Sequence, residues 1–78
     1  MKELLEYLAR GLVASPEDVH VTEVEEDDGT LVLELSVAQD DYGAVIGRGG
    51  RTVSALRTVI KTAGAGSRRR VFVDIVDA

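Results

Sequence analysis

A chain of 78 residues, 45% of them hydrophobic, is long enough for one small globular domain, and we expect a single domain over residues 1–78. The absence of cysteine excludes a disulfide framework and a thiolate metal site. No apolar run approaches the roughly 20 residues that a membrane span needs. The first residues carry acids where a signal peptide would be apolar, so we expect a soluble, cytoplasmic protein.

The net charge of −5 conceals two halves of opposite sign. Residues 1–42 contain twelve acidic and two basic side chains, whereas residues 43–73 contain seven basic side chains and no acidic one. A local electrostatic field depends on where charges lie and not on their sum. The second half is therefore suited to a polyanion, and the first half would repel one.

The chain begins with a segment of helical period, Lys2–Val13, and the proline at position 16 ends it. One stripe of this helix carries its apolar residues: Leu4, Leu5, Leu8, Leu12 and Val13. The stripe predicts a helix that covers one face of a sheet.

Two strands follow. Val19–Val24 alternates, with Val19 and Val21 on one face, and Leu31–Val37 alternates even more regularly. The Asp-Gly pair in the acidic run at residues 25–29 predicts a hairpin between them.

The second half predicts a short helix, a glycine loop, a longer helix and a last strand. Asp40 and Asp41 are placed to cap the helix Tyr42–Ile46. The longer helix runs over Arg51–Thr62 and ends at residues 64–67. Its apolar face holds Val53, Leu56, Val59, Ile60 and Ala63, while Ser54, Arg57 and Lys61 share a polar face. The last strand covers Val71–Val76. The order α-β-β-α-α-β predicts an α+β fold with helices on one face of a three-stranded sheet.

Residues 45–53 (Val-Ile-Gly-Arg-Gly-Gly-Arg-Thr-Val) are the segment that we expect to bind a ligand. Glycine allows a tight loop, and the loop opens onto the free N–H groups of the following helix, which favour an anion. Arg48 and Arg51 add two permanent positive charges, so a phosphate group is the expected ligand.

An enzymatic function has less support from the residues than an anion-binding loop has. A P-loop requires Lys-Ser/Thr after its last glycine, and a dinucleotide fingerprint requires glycine where Thr52 stands. His20 is the only histidine and lies in the acidic half. The acidic run Glu25–Asp28 lacks the ligand spacing of a calcium loop. We therefore predict no catalysis, no metal and no cofactor. Whether Arg68–Arg70 contact a ligand or only keep the chain soluble stays open at this point.

The glycine-loop sequence resembles the signature of a KH domain, in which a GXXG loop clamps about four single-stranded nucleotides. The element order resembles the type II arrangement. Together with residues 2–13, 40–43 and 73–77, the whole chain is similar to the small stand-alone bacterial KH proteins of the KhpA family. One departure is that such loops often carry lysine followed by a polar or acidic residue, where this chain has Arg48 and Gly49.

The resemblance implies a cytoplasmic RNA-binding protein and RNA chaperone. The backbone of the RNA would lie on Gly47, Arg48, Gly49 and Gly50, with Ile46 and Val53 flooring an apolar groove. Arg51, Ser54 and Arg57 complete the expected RNA-binding set. The family also implies self-association, and pairing with a larger Jag-type (KhpB) RNA-binding protein linked to cell elongation and division.

A competing hypothesis from the residues is a protein-interaction module with a vestigial loop. Val59 and Ile60 are adjacent in the longer helix, so both cannot point into one small core. One of them would then be exposed for a partner.

Overall fold

Helices and strands follow one another in the predicted order in the computed structural model, which describes residues 1–67 and 69–77. They are α1 (Lys2–Arg10), β1 (His20–Glu25), β2 (Leu31–Ser36), α2 (Tyr42–Ile46), α3 (Arg51–Ala63) and β3 (Val71–Ile75). Short 3-10 turns precede β1 and α2, form the glycine loop and follow α3.

The three strands form a mixed sheet in the order β1-β2-β3. β1 and β2 are antiparallel, with Val21 opposite Leu35, and β2 and β3 are parallel, with Leu33 opposite Val73. Buried and partly exposed residues alternate along β2, as the sequence predicts. Because side chains alternate between the faces of a strand, the buried residues define one covered face. Residues of α1 and α3, including Leu5 and Ile60, pack into the same core.

The acidic segment between β1 and β2 forms the predicted hairpin turn. Gly29 has φ +88°, and its N–H donates to the Glu26 carbonyl at 2.9 Å. The Thr30 N–H donates to the Asp28 carboxylate at 2.9 Å, and this hydrogen bond lowers the pKa of Asp28 below its usual range. Among the described residues, no group of three or more His, Asp or Glu side chains could hold a metal ion.

Arg69 fastens this hairpin to the start of β3. Its guanidinium lies 2.7 Å from the Glu25 carboxylate, and its Nε donates to the Gly29 carbonyl at 2.9 Å. Arg69 is therefore engaged by the acidic half of the chain. Arg68, the first arginine of the basic run, lies outside the described residues.

The first helix is shorter than the sequence predicts. It ends at Arg10, and the N–H of Gly11 closes its last turn on the Tyr7 carbonyl at 3.3 Å. Glycine is a poor helix former, which explains the early end. The prediction for Leu12 is wrong, since this side chain is 41% exposed and does not share the buried stripe.

Helix α3 runs one residue further than predicted and is amphipathic. Ile60 is fully buried and Val59 is 45% exposed, which confirms that the two side chains diverge. Ala63 is exposed, contrary to its predicted place on the apolar face. None of the described helices has the length and apolar character needed to cross a membrane.

The predicted capping role of Asp41 is wrong, because its side chain binds a different segment of the chain. Asp41 occupies the N-cap position of α2, but its side chain makes no hydrogen bond to that helix. Asp41 is 6% exposed, and its carboxylate accepts hydrogen bonds from the N–H groups of Ala14 and Ser15, each at 3.1 Å. It thereby ties the segment after α1 to the start of α2.

Replacing Asp41 with alanine should lower the free energy of unfolding by about 2–3 kcal/mol, because two backbone donors lose their acceptor. The measurement is urea denaturation followed by circular dichroism. Asp40→Ala is the matched control, since Asp40 is an exposed neighbour of the same type, and its effect should stay within about 0.5 kcal/mol. Equal effects of the two substitutions would contradict the role given to Asp41.

Candidate nucleic-acid interface

The loop between α2 and α3 owes its shape to three glycines in positive-φ conformations. Gly47, Gly49 and Gly50 have φ values of 76°, 63° and 78°. Gly50 is left-handed and occupies the N-cap position of α3. A side chain at such angles is strained, so the glycine spacing is a backbone requirement of this turn.

Gly47 is the most constrained of the three. Its φ of 76° and ψ of 169° fall in a region that only glycine occupies readily. A Cβ built there would overlap the hydroxyl of Thr52 and lie 2.7 Å from the Thr52 Cβ. In contrast, a Cβ at Gly49 or Gly50 meets nothing within 4 Å. The first glycine lets the loop fold back onto α3, and the other two face open space.

Some backbone N–H groups of the loop donate hydrogen bonds within the protein, and others do not. Gly47 donates to the Gly43 carbonyl at 2.8 Å, and Gly50 donates to the Gly47 carbonyl at 3.1 Å. Within the part of the chain that the structure describes, no backbone–backbone hydrogen bond engages the N–H of Arg48 or Gly49. These two amides lie at the exposed tip of the loop, where a ligand oxygen can reach them.

The charged side chains of the loop are exposed and form no ion pair in the part of the chain that the structure describes. Arg48 and Arg51 are both exposed. No ion pair among residues 1–67 and 69–77 involves either of them. The acidic half of the chain therefore leaves their charge uncompensated, as an anion site requires.

Tyr42 positions the short helix that carries the loop, a role that the sequence analysis missed. Its hydroxyl donates to the carbonyl of Val76 at 2.5 Å, across 34 residues of sequence. Together with Asp41 it fixes the first turn of α2 to two other segments. The sequence offered only an aromatic residue at the start of a short helix, and this pattern does not indicate which residue its hydroxyl contacts.

The remaining predicted site residues extend from the loop along α3. Ile46 is 40% exposed beside the loop, whereas Val53 is only 8% exposed and supports the surface from beneath. Ser54 and Arg57 are exposed on the next turns of the helix. The Nε of Arg57 donates to the Val73 carbonyl at 3.1 Å, which fastens its guanidinium to the edge strand β3.

A helical stripe connects these residues. Gly50, Ser54, Arg57 and Lys61 recur at three- and four-residue spacing, which places them along one side of α3. The structure thus brings the loop, Ile46 and this stripe into one continuous surface, with β3 as its other border. Its charge is positive, and its apolar part is aliphatic apart from Phe72 of β3.

Comparison with known proteins identifies the family. The family model described as "KhpA/KhpB, KH domain" matches residues 2–75. The RNA-binding protein KhpA of Halalkalibacterium halodurans is 51% identical over 78 residues, covering 99% of this chain and 100% of that protein. The RNA-binding protein KhpA of Clostridium perfringens is 47% identical, covering 97% of this chain and all of that protein. The corresponding Chlamydia trachomatis protein is 39% identical, covering 99% of this chain and 97% of the relative.

A solved structure supports the fold. The crystal structure of Aquifex aeolicus Era Y63A bound to GDP·AlF4⁻ superimposes with a TM-score of 0.66 at 18% sequence identity. The match covers 97% of this chain but 29% of the Era chain, so it concerns the fold alone. The α+β architecture and the mixed three-stranded sheet agree with the type II KH arrangement predicted from the sequence.

The loop geometry predicts unequal effects of alanine at its glycines. Gly49→Ala should cost about 1–2 kcal/mol of unfolding free energy, from backbone strain alone. Gly47→Ala should cost at least about 2 kcal/mol more, because overlap with Thr52 adds to the strain. Thermal and urea unfolding of both variants measures the difference. Similar losses for the two variants would contradict the close approach at Gly47.

Proposed function

Because this chain belongs to the KhpA/KhpB family of KH-domain proteins, we propose that it binds single-stranded RNA through the loop at residues 47–50. The observation that carries the proposal is the exposed, positively charged turn with no acidic partner in the described chain. Relatives that are 39–51% identical over nearly their full length are named RNA-binding proteins, which supports the choice of ligand.

Capture of the RNA begins at its backbone. The N–H groups of Arg48 and Gly49 approach phosphate oxygens, and the guanidinium groups of Arg48 and Arg51 supply charge-assisted hydrogen bonds. Glycine at the tip lets the strand come close to the protein backbone. Mobility of the arginine side chains in the free protein is a cost that binding must offset.

The bases then lie along the surface between α2, α3 and β3. Ile46 offers the exposed aliphatic area, Val53 supports it, and Ser54 and Arg57 provide polar groups for the base edges. Aromatic stacking contributes little. Tyr42 is engaged by Val76, and Tyr7 lies on α1. Phe72 is 62% exposed on β3, where it lies beside Arg57 and Lys61 and not at the loop.

Binding of this kind is weak and salt-dependent. Three or four phosphates at about −0.7 each give a slope of roughly −2 to −3 for log affinity against log salt. A short-lived, weakly selective contact suits an RNA chaperone or post-transcriptional regulator in the cytoplasm, without catalysis, and we assign the protein to this class.

A second candidate function is association with another protein. The exposed Val59 on α3 favours it, since an apolar side chain 45% exposed on an amphipathic helix is available to a partner. The partner would be a second copy of this chain or the larger Jag-type KhpB protein, whose link to cell elongation and division the family implies. In this version the loop is vestigial, although the two functions are compatible.

Reversing the charge of the loop tests the RNA-binding function. Arg48→Asp combined with Gly49→Asp should reduce affinity for a single-stranded RNA at least tenfold, because carboxylates replace the anion-binding groups. Aspartate tolerates left-handed backbone angles better than most residues, so the φ of 63° at Gly49 is preserved at little cost. Fluorescence anisotropy with labelled RNA measures the change.

The chain offers a matched control for this double substitution. Arg10 and Gly11 form a second exposed Arg-Gly pair at the end of α1, and changing both to aspartate alters the net charge equally. RNA affinity should survive in that variant apart from a small general charge effect. Unchanged binding in the loop variant, or equal loss in both, would contradict the proposed site.

Val59→Asp tests the association function. If α3 carries a self-association surface, this variant should shift sedimentation velocity toward monomer by placing a charge in a dehydrated contact. Leu12→Asp is the control, since Leu12 has a similar exposure of 41% outside α3. A dimer that persists in the Val59 variant would exclude this part of the helix from the interface.

A further inference from the structure

The face of the sheet that the helices leave uncovered carries a row of apolar side chains. Val24 lies opposite Val32 in the β1–β2 pair, and Val32 lies opposite Phe72 in the β2–β3 pair. Their neighbours Leu33 and Val73 are buried in the core on the other side of the sheet. Val24 is 37% exposed and Phe72 is 62% exposed, while Val32 between them is partly buried. We call these three side chains the apolar row.

Carboxylates lie on both sides of the apolar row. In one direction along the strands, Glu34 and Asp74 lie opposite each other in register. In the other direction, Glu26 follows Val24 by two residues. All three acids line the same concavity of 490 Å³ as the apolar row, and none of them forms an ion pair in the described part of the chain. The open face therefore combines exposed apolar area with uncompensated negative charge.

Two arginines border the open face without neutralising it. Arg57 lines one edge of the concavity, where its Nε donates to the Val73 carbonyl at 3.1 Å. Arg70 acts electrostatically on Asp28 of the hairpin. Three carboxylates and one arginine among the described lining residues leave the concavity negative. It therefore repels a polyanion such as RNA, and also a second copy that presents the same face.

The dimensions of the apolar row suit an α-helix. Three strands at a spacing of about 4.8 Å make the row about 10 Å long, which corresponds to about two helical turns. Side chains two positions along a strand lie about 6.7 Å away, so the carboxylates on the two sides are about 13 Å apart. A helix with its side chains is about 10–12 Å wide and fits between them. An added strand would instead require a sheet edge, because it binds through backbone groups.

We propose that the open face of the sheet docks a basic amphipathic helix of another protein. Aliphatic side chains of that helix cover the apolar row, and its lysine or arginine side chains lie beside Glu26, Glu34 and Asp74. The docking surface is distinct from the glycine loop and from Val59 on α3. The protein can therefore bind RNA and a protein partner at the same time.

A synthetic helix tests the proposal on the intact protein. The probe is a fluorescently labelled peptide of about 18 residues, with leucine on one face and lysine on its flanks. Fluorescence anisotropy should show binding that weakens as salt is added, because exposed charges are screened. One control peptide has glutamate in place of lysine, and a second has the same composition in an order without an apolar face. Both should bind at least about tenfold more weakly.

Two substitutions locate the contact on the open face. Glu34→Gln keeps the shape of the side chain and should weaken peptide binding about twofold to fivefold, because one ion pair is lost. Glu23→Gln is its control, since it removes the same charge from a position of β1 outside the concavity. Val24→Thr should weaken binding about fivefold by placing a hydroxyl in the apolar contact. Its control is Val59→Thr, the same change at an exposed valine of α3.

Four outcomes would overturn the proposal. The first is a probe that does not bind, and the second is equal binding of the peptide without an apolar face, since net charge alone would then attract it. The third is an equal loss in Val24→Thr and Val59→Thr, because α3 would then be the docking surface. The fourth is a shift of Val24→Thr toward monomer in sedimentation velocity without peptide, which would assign the face to a second copy. RNA affinity should be unchanged in Val24→Thr, so failure of this proposal leaves the RNA-binding function standing.

Discussion

The position of the glycine loop depends on hydrogen bonds that stabilise helix α2, which is too short to be stable alone. Helix α2 has five residues, and an isolated helix of that length is unstable in water because nucleation outweighs the few bonds formed. Asp41 ties its start to the segment after α1, and Tyr42 ties it to the end of β3. Val45, fully buried, anchors its remaining side in the core. The loop is consequently presented from a fixed base.

The sheet order separates the opposing charges of the two halves. β1, which carries Glu23 and Glu25, forms one edge of the sheet, whereas β3 forms the other edge and borders the basic helix α3. Helix α3 therefore borders the strand that is farthest from β1 in the sheet. Arg69 joins the halves at the start of β3, where its guanidinium pairs with the Glu25 carboxylate. The charges that are segregated in sequence are therefore separated in space at the loop and meet at the start of β3.

Local patterns predicted most of the fold. Alternation along Leu31–Val37, the Asp-Gly turn and the adjacent Val59 and Ile60 all led to the observed arrangement, because each depends on neighbours in sequence. The glycine loop was also located from its sequence, and the structure adds the reason why Gly47 in particular must be glycine.

The hydrogen bonds that the sequence did not predict join residues that lie far apart in the chain. Asp41 stands next to a helix start, where capping is the usual role of an aspartate. Its actual partners, Ala14 and Ser15, are 26–27 residues away, and no local pattern names them. The same holds for Tyr42 and Val76, and for Arg57 and Val73. The end of α1 was misplaced for a different reason, since the apolar stripe continued to Leu12 while Gly11 closed the helix before it.

The scarcity of aromatic side chains decides how such a surface can bind RNA at all. Stacking on aromatic rings contributes about 1–3 kcal/mol per base in other single-strand binders, and the exposed ring on this surface is Phe72, which lies on β3 beside Arg57 and Lys61. Affinity must then come mainly from phosphate contacts, each of which adds salt dependence and little sequence preference. A surface restricted to one loop would offer only a few such contacts. In the part of the chain that the structure describes, Arg48 and Arg51 form no ion pair, and Arg57 is fastened to the Val73 carbonyl. The proposed contact with RNA therefore depends mainly on these three guanidinium groups.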